Sequence, residues 1–208
     1  MIKKVIKFPT KKNYKNEDFF LEYTSVLTRV LNSIDLKKLK KISGIILKTI
    51  IKNKQIFVAG NGGSGAIANH FLCDFNKGIK ISSKEKLKPK IISLSSSPEI
   101  ITAIANDIHF NEIFRYQADN YIQKNDILIV FSCSGKSKNI INLVNFCNKK
   151  QIRTIYITGF NEGKKFNKNV IHLNLNCKNY GITEDVFSSL MHVISQFIRF
   201  QYSQNEIL

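Results

Sequence analysis

The sequence has little cysteine and no long hydrophobic run. Its four cysteines lie far apart, with neither C-x-x-C pairs nor the dense spacing of a disulfide framework. No apolar stretch approaches the roughly 20 residues that a membrane-spanning helix needs, and no apolar signal-peptide core follows the basic residues from Met1 to Lys7. We therefore expect a cytoplasmic protein that has no membrane segment.

Acidic residues are also scarce: there are 15 of them against 32 lysines and arginines, which gives a formal net charge of +17. Such a charge raises the question of nucleic-acid binding through phosphate contacts. The lysines, however, are spread in short groups with no nucleic-acid-binding motif beside them, so we expect no nucleic-acid partner. A positive field would still attract a phosphorylated substrate. The groups are Lys37-Lys38, Lys40-Lys41, Lys84 to Lys90, Lys149-Lys150 and Lys164-Lys165.

A length of 208 residues is close to that of one domain and is enough to bury a core without disulfide or metal staples. Apolar residues at helical spacing predict two amphipathic helices before any strand, at Asn16 to Ser33 and at Leu36 to Ile51. The sequence predicts a single domain over 1–208, in which 1–15 form an arm, 16–53 a helical extension and 54–208 an α/β core.

From Gln55 onward, short runs rich in β-branched residues alternate with helical patterns. The runs are apolar on both faces, as in parallel strands that are covered by helices on each side. We therefore predict a three-layer, doubly wound (flavodoxin-like) α/β fold with a parallel sheet of about five strands. The predicted strands are Ile56–Ala59, Lys90–Leu94, Ile127–Phe131, Thr154–Thr158 and Val170–Leu173. The predicted helices are Ser64–Gly78, Pro98–Ala105, Asn111–Gln123, Ser137–Lys149 and a last one that ends near Gln204.

The loop after the first strand, Gly60 to Gly65, matches the G-x-G-x-x-G pattern of dinucleotide-binding proteins. That class also needs an Asp or Glu at the end of the second strand to hold the ribose. Here the second strand ends in Ser95-Ser96-Ser97, and Glu85 precedes it in a lysine-rich segment. The dinucleotide interpretation is therefore disfavoured, and we expect no nucleotide cofactor.

The loop after the third strand, Ser132 to Ser137, ends like a phosphate-binding P-loop but has Val130 where that motif needs glycine. Serine hydroxyls and free N–H groups at the start of a helix can nevertheless hold a phosphate. The alternative is an ordinary turn with Ser137 as the helix N-cap. Together with the glycine loop, the serine-rich composition favours phosphate binding.

His70 and Asp74 are four residues apart in a predicted helix, so their side chains project from one face. A lone pair of this kind is more often a surface hydrogen bond than a site. Glu184 and His192 offer a second carboxylate and imidazole, and the four residues form a plausible ligand set for a divalent metal. Eight helical residues rise about 12 Å. Either Glu184 therefore lies at or before the start of its helix, or it and His192 act from different subunits.

These segments together resemble the SIS (sugar isomerase) domain, and specifically the bacterial phosphoheptose isomerases. The resemblance covers nearly the whole chain from the first helix. It implies isomerisation of sedoheptulose 7-phosphate to a heptose 7-phosphate for a surface polysaccharide, in a homotetramer whose sites are completed by neighbouring chains. The segments that carry it are Gly60 to Ser64, His70 with Asp74, Thr102 to Asp107, Ser132 to Ser137, and Glu184 with His192.

The resemblance also implies roles for individual residues. Asp74 and His192 would be the acid/base pair that moves a proton by way of an enediolate. Zinc would be bound by His70, Asp74, Glu184 and His192. The sugar would contact Asn61, Gly62, Gly63, Asp74, Asn106, Asp107 and Glu184, and the phosphate end would be held by Ser132, Cys133, Ser134 and Ser137.

The chain departs from the family pattern at four positions. Asp74 replaces glutamate, which shortens the side chain by one methylene. Glu184 replaces glutamine and adds a negative charge, which should hold a metal more firmly. Cys133 stands in place of a usual threonine, and Lys136 replaces a usual asparagine and could add a phosphate contact.

Two functions of different classes are compatible with this sequence. One is a phosphosugar isomerase of the phosphoheptose type. The other is a non-catalytic SIS module that binds a phosphosugar or a protein partner, similar to a replication-initiation factor of this family. A binding module has no need of His70, of an acid at position 74, or of His192, so their presence favours the enzyme.

Overall fold

A computed structural model describes residues 5–160, 166 and 168–204 of the chain, so residues 1–4 of the predicted arm lie outside it. No helix within the described ranges is both long and apolar enough to cross a membrane. The helices are α1 (Asn16–Asn32), α2 (Leu36–Ile51), α3 (Gly62–Leu72), α4 (Lys80–Ser82), α5 (Pro98–Ile104), α6 (Arg115–Tyr121), α7 (Lys138–Lys149) and α8 (Tyr180–Gln204). The strands are β1 (Ile6–Lys7), β2 (Gln55–Ala59), β3 (Lys90–Ser93), β4 (Ile127–Ser132), β5 (Arg153–Thr158), β6 (Val170–Asn174) and β7 (Cys177–Lys178).

Five strands form one sheet in the order β3-β2-β4-β5-β6, and every neighbouring pair is parallel. The chain enters the sheet at β2, adds β3 on one side and then returns to add β4, β5 and β6 on the other. β4 is buried along its whole length, as expected for a central strand that is covered on both faces. The doubly wound, flavodoxin-like fold predicted from the sequence is therefore confirmed.

The two faces of the sheet are covered by different helices because successive side chains of a strand point to opposite sides. On β4, Ile129 and Phe131 belong to a cluster of buried residues that includes side chains of α1, α2, α3 and α8. Leu128 and Val130 belong to a second cluster, which includes side chains of α5, α6 and α7. The two N-terminal helices thus pack on the same face as α3 and α8.

The start of the described chain is tied to the region just before α8. Ile6 pairs with Cys177 and Lys7 with Lys178 in a small parallel sheet. Phe8 follows this pairing and is 6% exposed, packed in the larger core cluster. Residues 6–8 of the predicted arm therefore lie against the body of the protein, next to the strand that precedes α8.

Two of the predicted helices end in π-helical turns. α3 continues into the π-helical segment Cys73–Ile79, and α5 continues into Ala105–His109. A pattern with a period of 3.6 residues does not register such turns, because they insert one extra residue while the chain still runs as a helix. Asp74 lies in the first of them, and Asn106 and Asp107 lie in the second. Turns of this type are frequent at functional sites.

Packing of α2 against the sheet can be tested with two consecutive isoleucines, Ile50 and Ile51, which are 4% and 57% exposed. We expect Ile50→Ala to lower the free energy of unfolding by about 2–5 kcal/mol, because it leaves a cavity in the core. Ile51→Ala should change it by less than about 0.5 kcal/mol. Urea denaturation followed by circular dichroism measures both changes, and equal losses would contradict this orientation of α2.

Candidate active site

The loop between β2 and α3 passes so close to the helix that two of its positions require glycine. A Cβ on Gly60 would collide with the carbonyl group of Ser64, and Gly62 has a φ of +53°. Ser95, in the turn after β3, holds the loop, since its hydroxyl donates to the Gly60 carbonyl at 2.8 Å and accepts from the Gly60 N–H at 3.1 Å. The chain therefore turns directly from strand into helix, and the first N–H groups of α3 lie at the carboxyl edge of the sheet.

The loop between β4 and α7 is closed by its own serines. Ser132 Oγ accepts from the N–H of Gly135 at 3.2 Å, and Ser134 Oγ accepts from the N–H of Lys136 at 3.2 Å. Ser137 occupies the N-cap position of α7 but makes no side-chain capping hydrogen bond. The Ser137 hydroxyl and the first N–H groups of the helix therefore do not hydrogen-bond to one another. This arrangement suits an anion at the positive end of the helix.

The two loops and the start of α8 enclose a cavity of about 250 Å³, here called the loop pocket. It lies beyond the carboxyl ends of β2 and β4, where ligands bind in doubly wound sheets. Its volume is below the roughly 300–1,000 Å³ that is usual for ligand sites. The predicted site residues that line it are Asn61, Gly62, Gly63, Ser132, Cys133, Ser134, Ser137 and Glu184, and Ser64, Phe131 and Tyr180 line it as well.

Glu184 lies inside α8, so the sequence-based alternative that put it at or before the start of the helix is wrong. The helix starts earlier because Oδ1 of Asn179 accepts from the N–H of Ile182 at 2.9 Å. The Glu184 carboxylate reaches the N-terminus of α3, where Ser64 Oγ donates to it at 3.3 Å and a Cβ on Gly63 would collide with it. A negative charge already occupies this helix end, which favours binding of a phosphate at the start of α7 instead.

Cys133 is buried beside the same carboxylate. Its Sγ lies 3.6 Å from Oε1 of Glu184 and 3.6 Å from the Oγ of Ser64. Burial, and after it the charge of Glu184, raises the pKa of the Cys133 thiol to about 12, although the hydrogen bond with Ser64 acts in the opposite direction. The thiol is therefore protonated near neutral pH and serves as a weak hydrogen-bond donor to Glu184, not as a nucleophile.

His70, Asp74 and His192 form a second group, here called the His–Asp–His cluster. Nδ1 of His192 lies 2.7 Å from Oδ2 of Asp74, although 118 residues separate them, and Nε2 of His70 lies 3.7 Å from Oδ1. The Asp74 side chain is only 20% exposed, and the hydroxyl of buried Ser195 donates to Oδ2 at 3.4 Å. A carboxylate and an imidazole in direct contact can take up and return a proton.

The same cluster has the donor set of a divalent-metal site. One ligand atom from each of the three side chains lies within 4.8 Å of the others. Two imidazoles and one carboxylate fit zinc, whose catalytic sites have three protein ligands and one open position. Glu184, the fourth ligand predicted from the sequence, is not part of this group. The cluster can therefore hold a metal without Glu184.

Within one chain, the predicted site residues do not meet in a single cavity of the described structure. Glu184 and His192 are eight residues apart in α8, a rise of about 12 Å, and the residues of the His–Asp–His cluster do not line the loop pocket. Asn106 and Asp107 are exposed, and Nδ2 of Asn106 donates to Oδ1 of Asp107 at 2.8 Å. The residues predicted to bind phosphate do lie together, whereas the predicted acid/base pair lies elsewhere.

Tyr180, Ser95 and Asn139 are among the residues at the site that were not found from the sequence. Tyr180 is 62% exposed and lines the loop pocket from the first turn of α8. Ser95 holds Gly60, as described above, and buried Asn139 bonds to Asn61. Asparagine and serine are common near loops and helix starts, so their presence alone gave no signal. Their partners became evident only from the folded chain.

A larger cavity of about 660 Å³ lies at the opposite edge of the sheet, at the amino ends of β4 and β5. Lys48 is in the last turn of α2, and Lys52 and Lys150 follow the ends of α2 and α7. Positive charge at these positions offsets the negative ends of the helices. The cluster of cationic side chains is therefore explained without a bound ligand. Lys164 and Lys165, the last of the lysine groups, lie outside the described residues. The cationic side chains that line this cavity are Lys48, Lys52, Lys124, Lys150 and Arg153.

The family model for the SIS domain matches residues 18–159 of the chain. The matched range includes both loops of the pocket together with His70 and Asp74, and it ends before Glu184 and His192. The chain therefore belongs to the SIS-domain family.

Relatives place it more closely within that family. The phosphoheptose isomerase of Helicobacter pylori (strain P12) is 32% identical over 145 residues, which are 70% of this chain and 73% of that protein. A probable phosphoheptose isomerase of Thermoplasma acidophilum is 27% identical over 177 residues, 85% of this chain and 96% of that protein. The chain is thus a member of the phosphoheptose isomerase group.

Solved structures share the fold. A phosphoheptose isomerase from Neisseria gonorrhoeae superposes with a TM-score of 0.76 at 24% identity and covers 86% of this chain and 94% of its own. One from Francisella tularensis has a TM-score of 0.79 at 23% identity and covers 88% and 95%. At these identities the likeness establishes the fold, and it agrees with the doubly wound sheet described above.

The state of Cys133 can be tested by alkylation. A thiol pKa of about 12 leaves on the order of one molecule in 10⁴ as thiolate at pH 8, so iodoacetamide should label Cys133 at least about tenfold more slowly than the exposed Cys73. Labelling should accelerate as the pH approaches 12. Peptide mass spectrometry measures the rates, and buried Cys147, also with a pKa raised to about 12, is the matched control. Equal labelling of Cys133 and Cys73 at pH 8 would contradict this environment.

Proposed function

We propose that this chain is an aldose–ketose isomerase that interconverts sedoheptulose 7-phosphate and a heptose 7-phosphate. Relatives from Helicobacter pylori and Aliarcobacter butzleri carry the name phosphoheptose isomerase. The observation that carries the proposal is the 2.7 Å contact between His192 and Asp74, because a proton-transfer pair is what this reaction requires. A module that only bound a phosphosugar or a protein partner would have no use for that pair.

The reaction moves a proton between two neighbouring carbons of the sugar. A base removes the proton from C1 of the ketose, and the electron pair of the C–H bond forms the C1–C2 double bond as the carbonyl oxygen gains charge. An acid then returns a proton to C2, and the hydroxyl proton at C1 passes to the charged oxygen at C2, so that the aldehyde forms at C1 and a hydroxyl at C2. We assign the acid and the base to Asp74 and His192, which can pass a proton across their contact.

The proposed site also includes a metal ion. We assign it to zinc, held by His70, Asp74 and His192, whose ligand atoms lie within 4.8 Å of one another. When bound there, zinc would supply charge stabilisation for the enediolate oxygen.

The loop pocket supplies the binding energy in this proposal. Ser134, Ser137 and the first N–H groups of α7 hold the phosphate, because the helix end there carries positive charge. Asn61 and Glu184 line the opposite wall, where an amide and a carboxylate can hydrogen-bond sugar hydroxyls. The net charge of +17 draws an anionic substrate toward the protein.

We further infer that the site is completed in a homotetramer of this cytoplasmic protein. Support comes from the rise of about 12 Å between Glu184 and His192 along α8. One site could contain both residues if a neighbouring chain supplied one of them. An apolar groove between α2 and α8 offers a surface for such a neighbour. Among its lining residues, Leu36 is 72%, Val193 54% and Phe197 48% exposed.

The activity is tested by incubating the purified protein with sedoheptulose 7-phosphate and following the aldose signals by proton NMR. We expect turnover, and we expect Asp74→Asn and His192→Gln to lower kcat by about 10²- to 10⁴-fold, since each removes one partner of the proton transfer. Asp119→Asn is the matched control, because that carboxylate is 48% exposed and pairs with Arg115 and Lys150 on the surface.

Absence of turnover with this and other ketose phosphates, together with tight binding of a partner protein, would refute the isomerase and favour the binding module. Full activity of both variants would refute the assigned acid/base pair while leaving the isomerase in place.

Metal content provides a separate test. After dialysis against zinc, elemental analysis should find close to one zinc per chain, and His70→Ala or His192→Ala should remove it, because each deletes one of the three ligands. His109→Ala is the control, since His109 is exposed and its Nδ1 accepts only from the nearby N–H of Asn111 among the described hydrogen bonds. Metal-free protein with full activity would contradict the metal assignment.

A further inference from the structure

One pair of amides joins the two loops of the pocket. Nδ2 of Asn139 donates to Oδ1 of Asn61 at 2.9 Å, and Nδ2 of Asn61 donates to Oδ1 of Asn139 at 3.0 Å. Asn61 is the N-cap residue of α3, and Asn139 lies in the first turn of α7. Asn139 is 1% exposed, so water cannot replace its partner without an opening of the site.

The orientation of both amides is set by this pair. Oδ1 of Asn139 also accepts from the N–H of Ile140 at 2.9 Å, and a backbone N–H can only donate. The oxygen of Asn139 must therefore face Ile140, which leaves its nitrogen to donate to Asn61. In consequence the oxygen of Asn61 faces Asn139, and the Asn61 amide has one orientation instead of two.

The Asn61 side chain does not cap its own helix, as an asparagine at the N-cap position usually does. Asparagine is a favoured N-cap residue whose side chain usually accepts from the first turn of its own helix. Here Asn61 makes no side-chain capping bond to α3, because its amide is bonded to Asn139. An amide has two donor hydrogens and two lone pairs on its oxygen, so the pairing leaves Asn61 capacity to bond a ligand in the loop pocket that it lines.

We propose that Asn139 is a positioning residue: it holds the Asn61 amide in the orientation that binds the sugar and keeps the glycine loop at a constant spacing from the serine loop. Asn139 does not itself line the loop pocket, so its effect passes through Asn61. The inference rests on the proposed function, in which Asn61 contacts the sugar and α7 holds the phosphate. A substrate bound at both loops would be misplaced if they moved apart, and a displacement near 1 Å can cost about 100-fold in rate.

A double-mutant cycle tests this coupling. We expect Asn139→Ala to lower kcat/KM for sedoheptulose 7-phosphate by about 10- to 100-fold, with a rise in KM, because the Asn61 amide is no longer held. In an Asn61→Ala background the same change should lower kcat/KM by less than about threefold, because the group that Asn139 positions is already absent.

Asn142→Ala is the matched control, on the same helix one turn later. Nδ2 of Asn142 donates to Oε1 of Glu112 at 2.8 Å and to the Asn111 carbonyl at 3.3 Å, and it does not line the loop pocket. Asn142→Ala therefore removes a comparable number of hydrogen bonds and should change kcat/KM by less than about twofold. A merely structural loss would lower the active fraction, and hence kcat, without changing KM.

The proposal is overturned if the double variant loses kcat/KM by the product of the losses in Asn61→Ala and Asn139→Ala, as two independent effects would. It is also overturned if Asn139→Ala leaves KM unchanged. A wild-type protein without turnover would instead refute the proposed function, and the cycle is then measured as the rise in melting temperature caused by sedoheptulose 7-phosphate. In that measurement, loss of the rise in Asn139→Ala but not in Asn142→Ala supports the positioning role. An undiminished rise in Asn139→Ala, or no rise in the wild type, refutes it.

Discussion

The parallel pairing of β2 with β4 is the constraint on which the site depends. Their register places Ala59 opposite Val130, so the chain leaves the two strands at nearly the same level on the same edge of the sheet. α3 then packs on one face and α7 on the other, which leaves a crevice between two helix N-termini. The amide pair of Asn61 and Asn139 spans that crevice.

The two ends of this crevice differ in charge. Two helix N-termini would each attract an anion, but the Glu184 carboxylate already lies against the start of α3. The start of α7 is lined by hydroxyls, and its first turn, which lies wholly within the described residues, contains no acidic residue. In the proposed function, the phosphate therefore binds at one end of the loop pocket and the hydroxylated part of the sugar at the other. The buried, protonated Cys133 fits this arrangement, because a thiolate beside Glu184 would add repulsion.

Much of the fold could be predicted because its elements follow simple periodicities. α1 and α2 were predicted to within a residue because their apolar side chains recur at helical spacing, and the five strands because they are continuously apolar. Less local features were missed. The π-helical turn that carries Asp74 has no periodic signature, and the pairing of Ile6 with Cys177 joins segments that are remote in the sequence. The start of α8 depends on a cap by Asn179 that its composition did not reveal.

The sequence by itself determined the fold class, the two loops and the family, since all three depend on residue types at short spacing. It also supplied His70 and Asp74, which share one helical stretch. Only the tertiary structure decided which distant residues meet. It places His192 in contact with Asp74, a pair that the family resemblance had implied, it brings Asn139 to Asn61, and it puts Glu184 at the start of α3 and apart from the histidines. The physical reason is that such contacts depend on where α8 and α7 begin and how they cross the sheet, and packing of the whole core sets both.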